Sequence, residues 1–166
     1  MVDYVNVEDA GTAHGSAGQA WWQQTATDAG SITYRLVLTD GDELFSAIEK
    51  FCAEEKVTYA DFSGIGAVRD VQLGWFDRQR RMYRVNAFPG QFEALGIIGN
   101  VGLNSETGKP AAHTHLAVAG EDGTTHAGHL LSVTASPTIE LNVVVIPGER
   151  LSKSDDEASG LSLYDR

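Results

Sequence analysis

Ile32 to Thr39 alternates apolar and polar positions, the period of a half-buried strand. Asp40-Gly41-Asp42 follows with a turn and an N-cap candidate. Leu44, Ile48, Phe51 and Cys52 then recur at helical spacing, while Glu49, Lys50, Glu54 and Glu55 fall toward solvent. That is one amphipathic helix, and the only convincing one in the chain. From Val57 onward the pattern turns to strands. Tyr59 to Gly66, Val68 to Phe76, Met82 to Phe88, Phe92 to Val101, Ala112 to Ala119, Thr125 to Val133 and Ile139 to Ile146 are β-rich runs broken by turn residues. The later connections are too short for crossover helices, so mostly antiparallel pairing is expected. The predicted class is α+β, an antiparallel β-sheet of about seven or eight strands with one main flanking α-helix.

On either side of this core the pattern fades. The first 30 residues are poor in aliphatics, rich in Gly, Ala, Gln and Thr, and end in Asp28-Ala29-Gly30. They read as a tail or arm. Trp21 and Trp22 give that arm two large apolar rings with which to dock, a neighbouring subunit being one place for them. From Arg150 the chain carries Asp155-Asp156-Glu157 and then Gly160-Leu161-Ser162-Leu163, a peripheral loop with a short terminal anchor. The expected organisation is an arm over 1–30, one domain over 31–149 and a peripheral segment over 150–166.

Composition narrows the class. With 166 residues, 42% of them hydrophobic, the chain can support one core without disulfides. No apolar run reaches the about 18 residues of a spanning helix, so no membrane partner is expected. Met1 to Ala10 lacks the basic segment and apolar stretch of a signal peptide, and the lone Cys52 suits a reducing cytoplasm. Twelve Lys plus Arg against 23 Asp plus Glu leave a formal charge of −11. Nucleic-acid binders draw affinity from neutralising phosphates, so this balance argues against autonomous DNA binding. The one basic concentration is Arg78, Arg80, Arg81 and Arg84. In an alternating strand Arg78, Arg80 and Arg84 would share a face, although a solvated hairpin accounts for them as well.

Two glycine clusters resemble phosphate-binding loops only in part. Gly64-Ile-Gly66-Ala-Val-Arg69 begins like a dinucleotide fingerprint but ends in Arg, and Gly96-Ile-Ile-Gly99-Asn-Val-Gly102 lies within strand-like sequence. Neither opens a helix, so bulges or close backbone approach explain them better than a nucleotide.

Four of the five histidines fall between His113 and His129. His113 and His115, two apart on a strand, project from one face as a pair of imidazole ligands. Glu121-Asp122-Gly123 suits a three-residue hairpin loop with Gly in the left-handed region. That loop places His129 directly across from His115, with opposed Cβ atoms about 5 Å apart, and turns His126 the other way. A two-residue Asp122-Gly123 loop would instead bring His126 opposite Ala119, roughly 13 Å from His115 and too far to share an ion. Three neutral imidazoles suit Zn²⁺ and leave a position for water or substrate, with Ni²⁺, Co²⁺ or Fe²⁺ compatible by ligand type. A general base is harder to name. Glu93 and Glu140 are candidates whose faces the pattern leaves open.

These residues also carry a resemblance. Gly90-Gln91-Phe92-Glu93-Ala94-Leu95-Gly96-Ile97-Ile98-Gly99-Asn100, then His113-Thr114-His115, Gly128-His129-Leu130 and Ser136-Pro137-Thr138-Ile139-Glu140, resemble the plants and prokaryotes conserved (PPC) domain family. The resemblance runs from about Ile32 to Ile146, and Gly160-Leu161 is similar to the family's C-terminal ending. It implies an antiparallel sheet with a flanking helix, a homotrimer, and a metal on the histidines matching His113, His115 and His129. Plant members join this domain to an AT-hook whose Arg-Gly-Arg-Pro core enters the DNA minor groove, and that tetrapeptide is absent here. The expectation is therefore a prokaryotic-type, homotrimeric, metal-binding module. It would be regulatory or DNA-associated, with a protein partner or small-molecule ligand and weak or no autonomous DNA binding.

The alternative is a zinc-dependent, cupin-like metalloenzyme acting on a small molecule. Gly108 precedes His113-x-His115 as in that pattern, but Glu121 comes later than the pattern's Glu, and its Pro-x-Gly before the last His is missing.

Overall fold

The computed structural model describes residues 2–165. In chain order the elements are β1 (Tyr4–Asn6), a short 3-10 turn (Val7–Asp9), β2 (Trp21–Asp28), β3 (Ser31–Thr39), α1 (Leu44–Glu55), β4 (Ala60–Asp77), β5 (Met82–Asn104), β6 (Pro110–Ala119), β7 (Thr125–Val145), β8 (Ser152–Asp155) and β9 (Ser162–Tyr164). Among the described residues nine strands join one sheet, ordered β2-β3-β7-β4-β5-β8-β9, with β1 on β5 and β6 bridging β5 and β7. Every pairing is antiparallel except β5 with β8. The α+β class with one main helix is the one expected from the pattern.

α1 forms where the helical spacing places it. Its N-terminus is capped one residue later than expected: the Glu43 carboxylate accepts from the backbone N–H of Phe45 at 3.0 Å and of Ser46 at 2.8 Å. Asp42 instead closes the preceding turn, accepting from Thr39 N–H at 3.0 Å and Gln19 N–H at 3.0 Å. Lys56 ends the helix in the left-handed conformation, and Val57 N–H bonds back to the Cys52 carbonyl. Leu44, Phe45, Ala47, Ile48, Phe51 and Cys52 are buried against the sheet, where they meet Leu36, Leu38, Leu116, Leu141 and Val143 in one core.

Three pairs of expected runs are single long strands. The breaks at Ala67, at Pro89-Gly90 and at Ser136-Pro137 do not reverse the chain. Register shifts between Gly64 and Gly66 and between Arg69 and Val71 mark irregularities in continuous ladders. Gly64, in the partial dinucleotide fingerprint, lies inside β4, where a Cβ would sit 2.2 Å from the Glu140 carbonyl oxygen. The neighbouring backbone leaves no space for a side chain, which is the physical reason for glycine there.

The segment expected as an arm contributes a strand. β2 pairs with β3 from Trp21↔Val37 to Asp28↔Ser31. Trp22 packs edge-on against Phe51 at 5.5 Å and donates its indole N–H to Glu55 at 2.8 Å. Its docking place is therefore the helix of its own chain, while Trp21 stays exposed. The peripheral C-terminal segment likewise forms β8 and β9 rather than a plain loop. The arginines do not share a strand face: Arg78, Arg80 and Arg81 occupy the exposed β4–β5 turn, and Arg80 pairs with Asp77 at 2.7 Å. Among the described residues no helix is long and apolar enough to cross a membrane.

Candidate metal centre

Along β6 the side chains alternate. Thr114 and Leu116 enter the core beneath α1, so His113 and His115 emerge on the opposite, open face of the sheet. The hairpin that follows has the three-residue loop. Gly120 N–H bonds to the Thr124 carbonyl at 3.0 Å and Gly123 N–H to the Gly120 carbonyl at 2.9 Å. Gly123 takes φ 78, which a side chain would strain. Asp122 fastens the turn by accepting from the Thr124 N–H and hydroxyl, each at 2.8 Å. The register that results runs from Ala119↔Thr125 to His115↔His129.

The three imidazoles form a nearly equilateral triangle. Ring centroids lie 5.2 Å apart for His113 and His115, 5.2 Å for His113 and His129, and 5.5 Å for His115 and His129. One ring nitrogen from each can be chosen so that all three lie within 4.8 Å of one another. His126 takes the other side, stacked on Phe88 at 4.2 Å. The shorter-loop alternative is thereby excluded.

The chemistry of the donor set fits a divalent cation. His129 Nδ1 is buried and has no hydrogen-bond partner among the described residues, a cost that a bound ion would offset. Burial first, then the neighbouring His113 and His115, pushes the His129 pKa down to about 3. Burial, then His115 and Lys153, also lowers that of His113. Lowered values keep these imidazoles neutral, the form that binds metal. Tyr83 on β5 stacks flat against His129 at 4.5 Å and fixes its ring. Held by three imidazoles, a divalent ion would keep a further position open for water or a ligand.

A pocket of about 550 Å³ opens beside the triangle, lined among others by Asp61, Ser63, Ile98, Asn100, His113 and His115. Neither candidate base reaches it. Glu93 and Glu140 are exposed and lie outside both the pocket lining and the histidine cluster. The carboxylate that does face the pocket is Asp61, cross-strand neighbour of Asn100, which is in turn the neighbour of His113. Beside this row Lys153 is 3% exposed and donates to Asn100 Oδ1 at 2.9 Å and to the Ala111 carbonyl at 3.0 Å. Burial pushes its pKa down to about 8. The sequence pattern passed over Asp61, Asn100 and Lys153. The spacing of Asp61 and Ser63 on one strand was the available signal for the first, while Lys153 sits in a segment without periodicity.

The cupin-like alternative does not hold. The strands belong to one sheet rather than a double-sheet barrel, and Glu121, its would-be carboxylate ligand, is an exposed turn residue outside the cluster.

Comparison with known proteins identifies relatives of the same fold. The chain is similar to a plant- and prokaryote-conserved (PPC) protein of Pyrococcus horikoshii, with TM-score 0.75, 27% identity, and coverage of 88% of this chain and 95% of that one. It is similar to a metal-containing protein of Archaeoglobus fulgidus, with TM-score 0.74, 29% identity, and coverage of 88% and 99%. A candidate DNA-binding protein of Bacteroides thetaiotaomicron gives TM-score 0.75, 27% identity, and coverage of 87% and 96%. Among curated proteins none matches. The profile of the Plants and Prokaryotes Conserved (PCC) domain, the same family under its other abbreviation, matches residues 26–147, and the chain belongs to that family.

Proposed function

We propose that this protein is a metal-binding, self-associating PPC module whose His113, His115 and His129 hold Zn²⁺ or another divalent transition metal. The observation that carries the reading is the placement of three imidazole donors within 4.8 Å of one another, on a face open to ligand. The similar Archaeoglobus fulgidus protein is named metal-containing, which supports it. The module works in the cytoplasm as a homotrimer, the number three resting on family resemblance. Self-association itself has physical support. Ile65 at 62%, Leu95 at 54% and Ile98 at 68% exposure lie close together on adjoining strands of the open sheet face. Large apolar side chains clustered in water favour a partner surface.

Its role is regulatory or DNA-associated through a partner, in line with the name of the Bacteroides thetaiotaomicron relative. The charge of −11 opposes direct binding to duplex DNA. Metal analysis of the untagged protein beside His129→Ala tests the centre. Stoichiometric metal in the wild type and its loss in the variant are expected; metal retained by the variant overturns the ligand set.

A further inference from the structure

One row of side chains crosses the open face from β4 to β6: Asp61, Asn100, His113. Cross-strand neighbours of this kind stand about 5 Å apart at Cβ, close enough for one small molecule to touch all three. The middle member is unusually well determined. Asn100 Oδ1 accepts from Lys153 Nζ at 2.9 Å and from the Tyr164 hydroxyl at 2.9 Å. A lysine ammonium only donates, so the atom it meets is the amide oxygen, and the two lone pairs of that oxygen are both engaged. What Asn100 has left for the pocket it lines is its Nδ2 donors. Lys153 cannot swing away to release the amide, being 3% exposed, tied also to the Ala111 carbonyl and set 4.7 Å from the Tyr164 ring centre.

Asp61 is the complementary half. Its Oδ2 accepts from the Tyr59 hydroxyl at 2.9 Å, and its Oδ1 has no protein partner among the described residues. The row therefore offers a donor and an acceptor side by side, next to the histidine triangle. No lysine or arginine lines the pocket among the described residues, so a phosphate group would find no cationic side chain there. A single carboxylate needs less: one metal ion and one amide N–H.

We propose that the pocket binds a small α-hydroxy or α-amino acid. Its carboxylate oxygen is held by Asn100 Nδ2 beside the metal centre, and its hydroxyl or amine donates to Asp61. Lys153 and Tyr164 act as positioning residues for the amide. The inference rests on the metal reading above and names the ligand class of that same site.

The test uses the untagged full chain loaded with Co²⁺, whose visible absorption reports ligands entering the coordination sphere, titrated with glycolate, acetate and phosphate. Glycolate is expected to bind tenfold or more tighter than acetate, and tighter than phosphate. Asp61→Ala should bring glycolate down to the acetate level. Asn100→Asp keeps the oxygen that Lys153 and Tyr164 require and replaces the donor by a charged acceptor. It should weaken glycolate binding by tenfold or more while retaining Co²⁺. Lys153→Met should weaken glycolate binding with the Co²⁺ affinity little changed, a split that a purely structural role would not produce. Equal glycolate affinity in wild type and Asn100→Asp, or a preference for phosphate, overturns the ligand class and leaves the metal reading standing. A wild-type protein that takes up no Co²⁺ overturns both.

Discussion

Tyr83 lies flat against His129, with ring centroids 4.5 Å apart and planes within 12° of parallel. The two residues come from different strands, β5 and β7, and the tyrosine is buried. A stacked neighbour removes the rotational freedom that a metal ligand would otherwise lose on binding. Tyr83→Ala should lower metal affinity by about tenfold or more, and Tyr83→Phe should keep it near wild type. Competition with a chelator of known affinity measures both.

Acid should destabilise the metal-free protein. His129 has a folded pKa near 3 against an unfolded value of 6.5, so between those values the unfolded chain binds more protons than the folded one. The contribution of His129 is complete above pH 6.5 and is lost as pH falls toward 3. Urea unfolding of the apo protein across this window should show a stability that declines with acid, and the slope should shrink in His129→Phe.

The helix depends on a buried aromatic contact. Phe51 meets Trp22 at 5.5 Å and Tyr34 at 5.1 Å, both edge-on, at the centre of the α1 interface. Phe51→Ala should cost about 3–5 kcal/mol, read as a lower urea midpoint at unchanged slope.

Glu43 caps that helix with two backbone hydrogen bonds and is buried. Glu43→Ala removes both acceptors and should cost about 1–2 kcal/mol. Glu43→Asp, which can still reach the N-terminal N–H groups, should recover part of the loss in the same unfolding experiment.

Self-association through the open face predicts that a charge there disperses the assembly. Ile65→Asp should give a single-chain mass in sedimentation equilibrium, with the helical circular dichroism of the wild type retained. A wild-type protein that already sediments as one chain would contradict the assembly.

Periodicity was enough for α1 and for the site's hairpin. Leu44, Ile48 and Phe51 mark a stripe that any helix must bury, and Gly123 in a three-residue loop leaves one way for β6 and β7 to meet. Both are local constraints, written within a few residues. β2 escaped because seven of its eight residues are exposed, so no alternation betrays it. Its pairing with β3 is nevertheless local, closed by the two-residue turn Ala29-Gly30 with φ 45 and 90, so the hairpin signal lay in the turn residues rather than in the strand.

Local sequence thus decided that His113, His115 and His129 share a face, since strand alternation and turn chemistry act between near neighbours. Long-range packing decided what surrounds them. Asp61, Asn100, Lys153 and Tyr164 come from β4, β5, β8 and β9, and only the assembled sheet, with its C-terminal ribbon laid along β5, brings them to one site. Such contacts depend on strand order and register over the whole chain, which no short stretch of residues encodes.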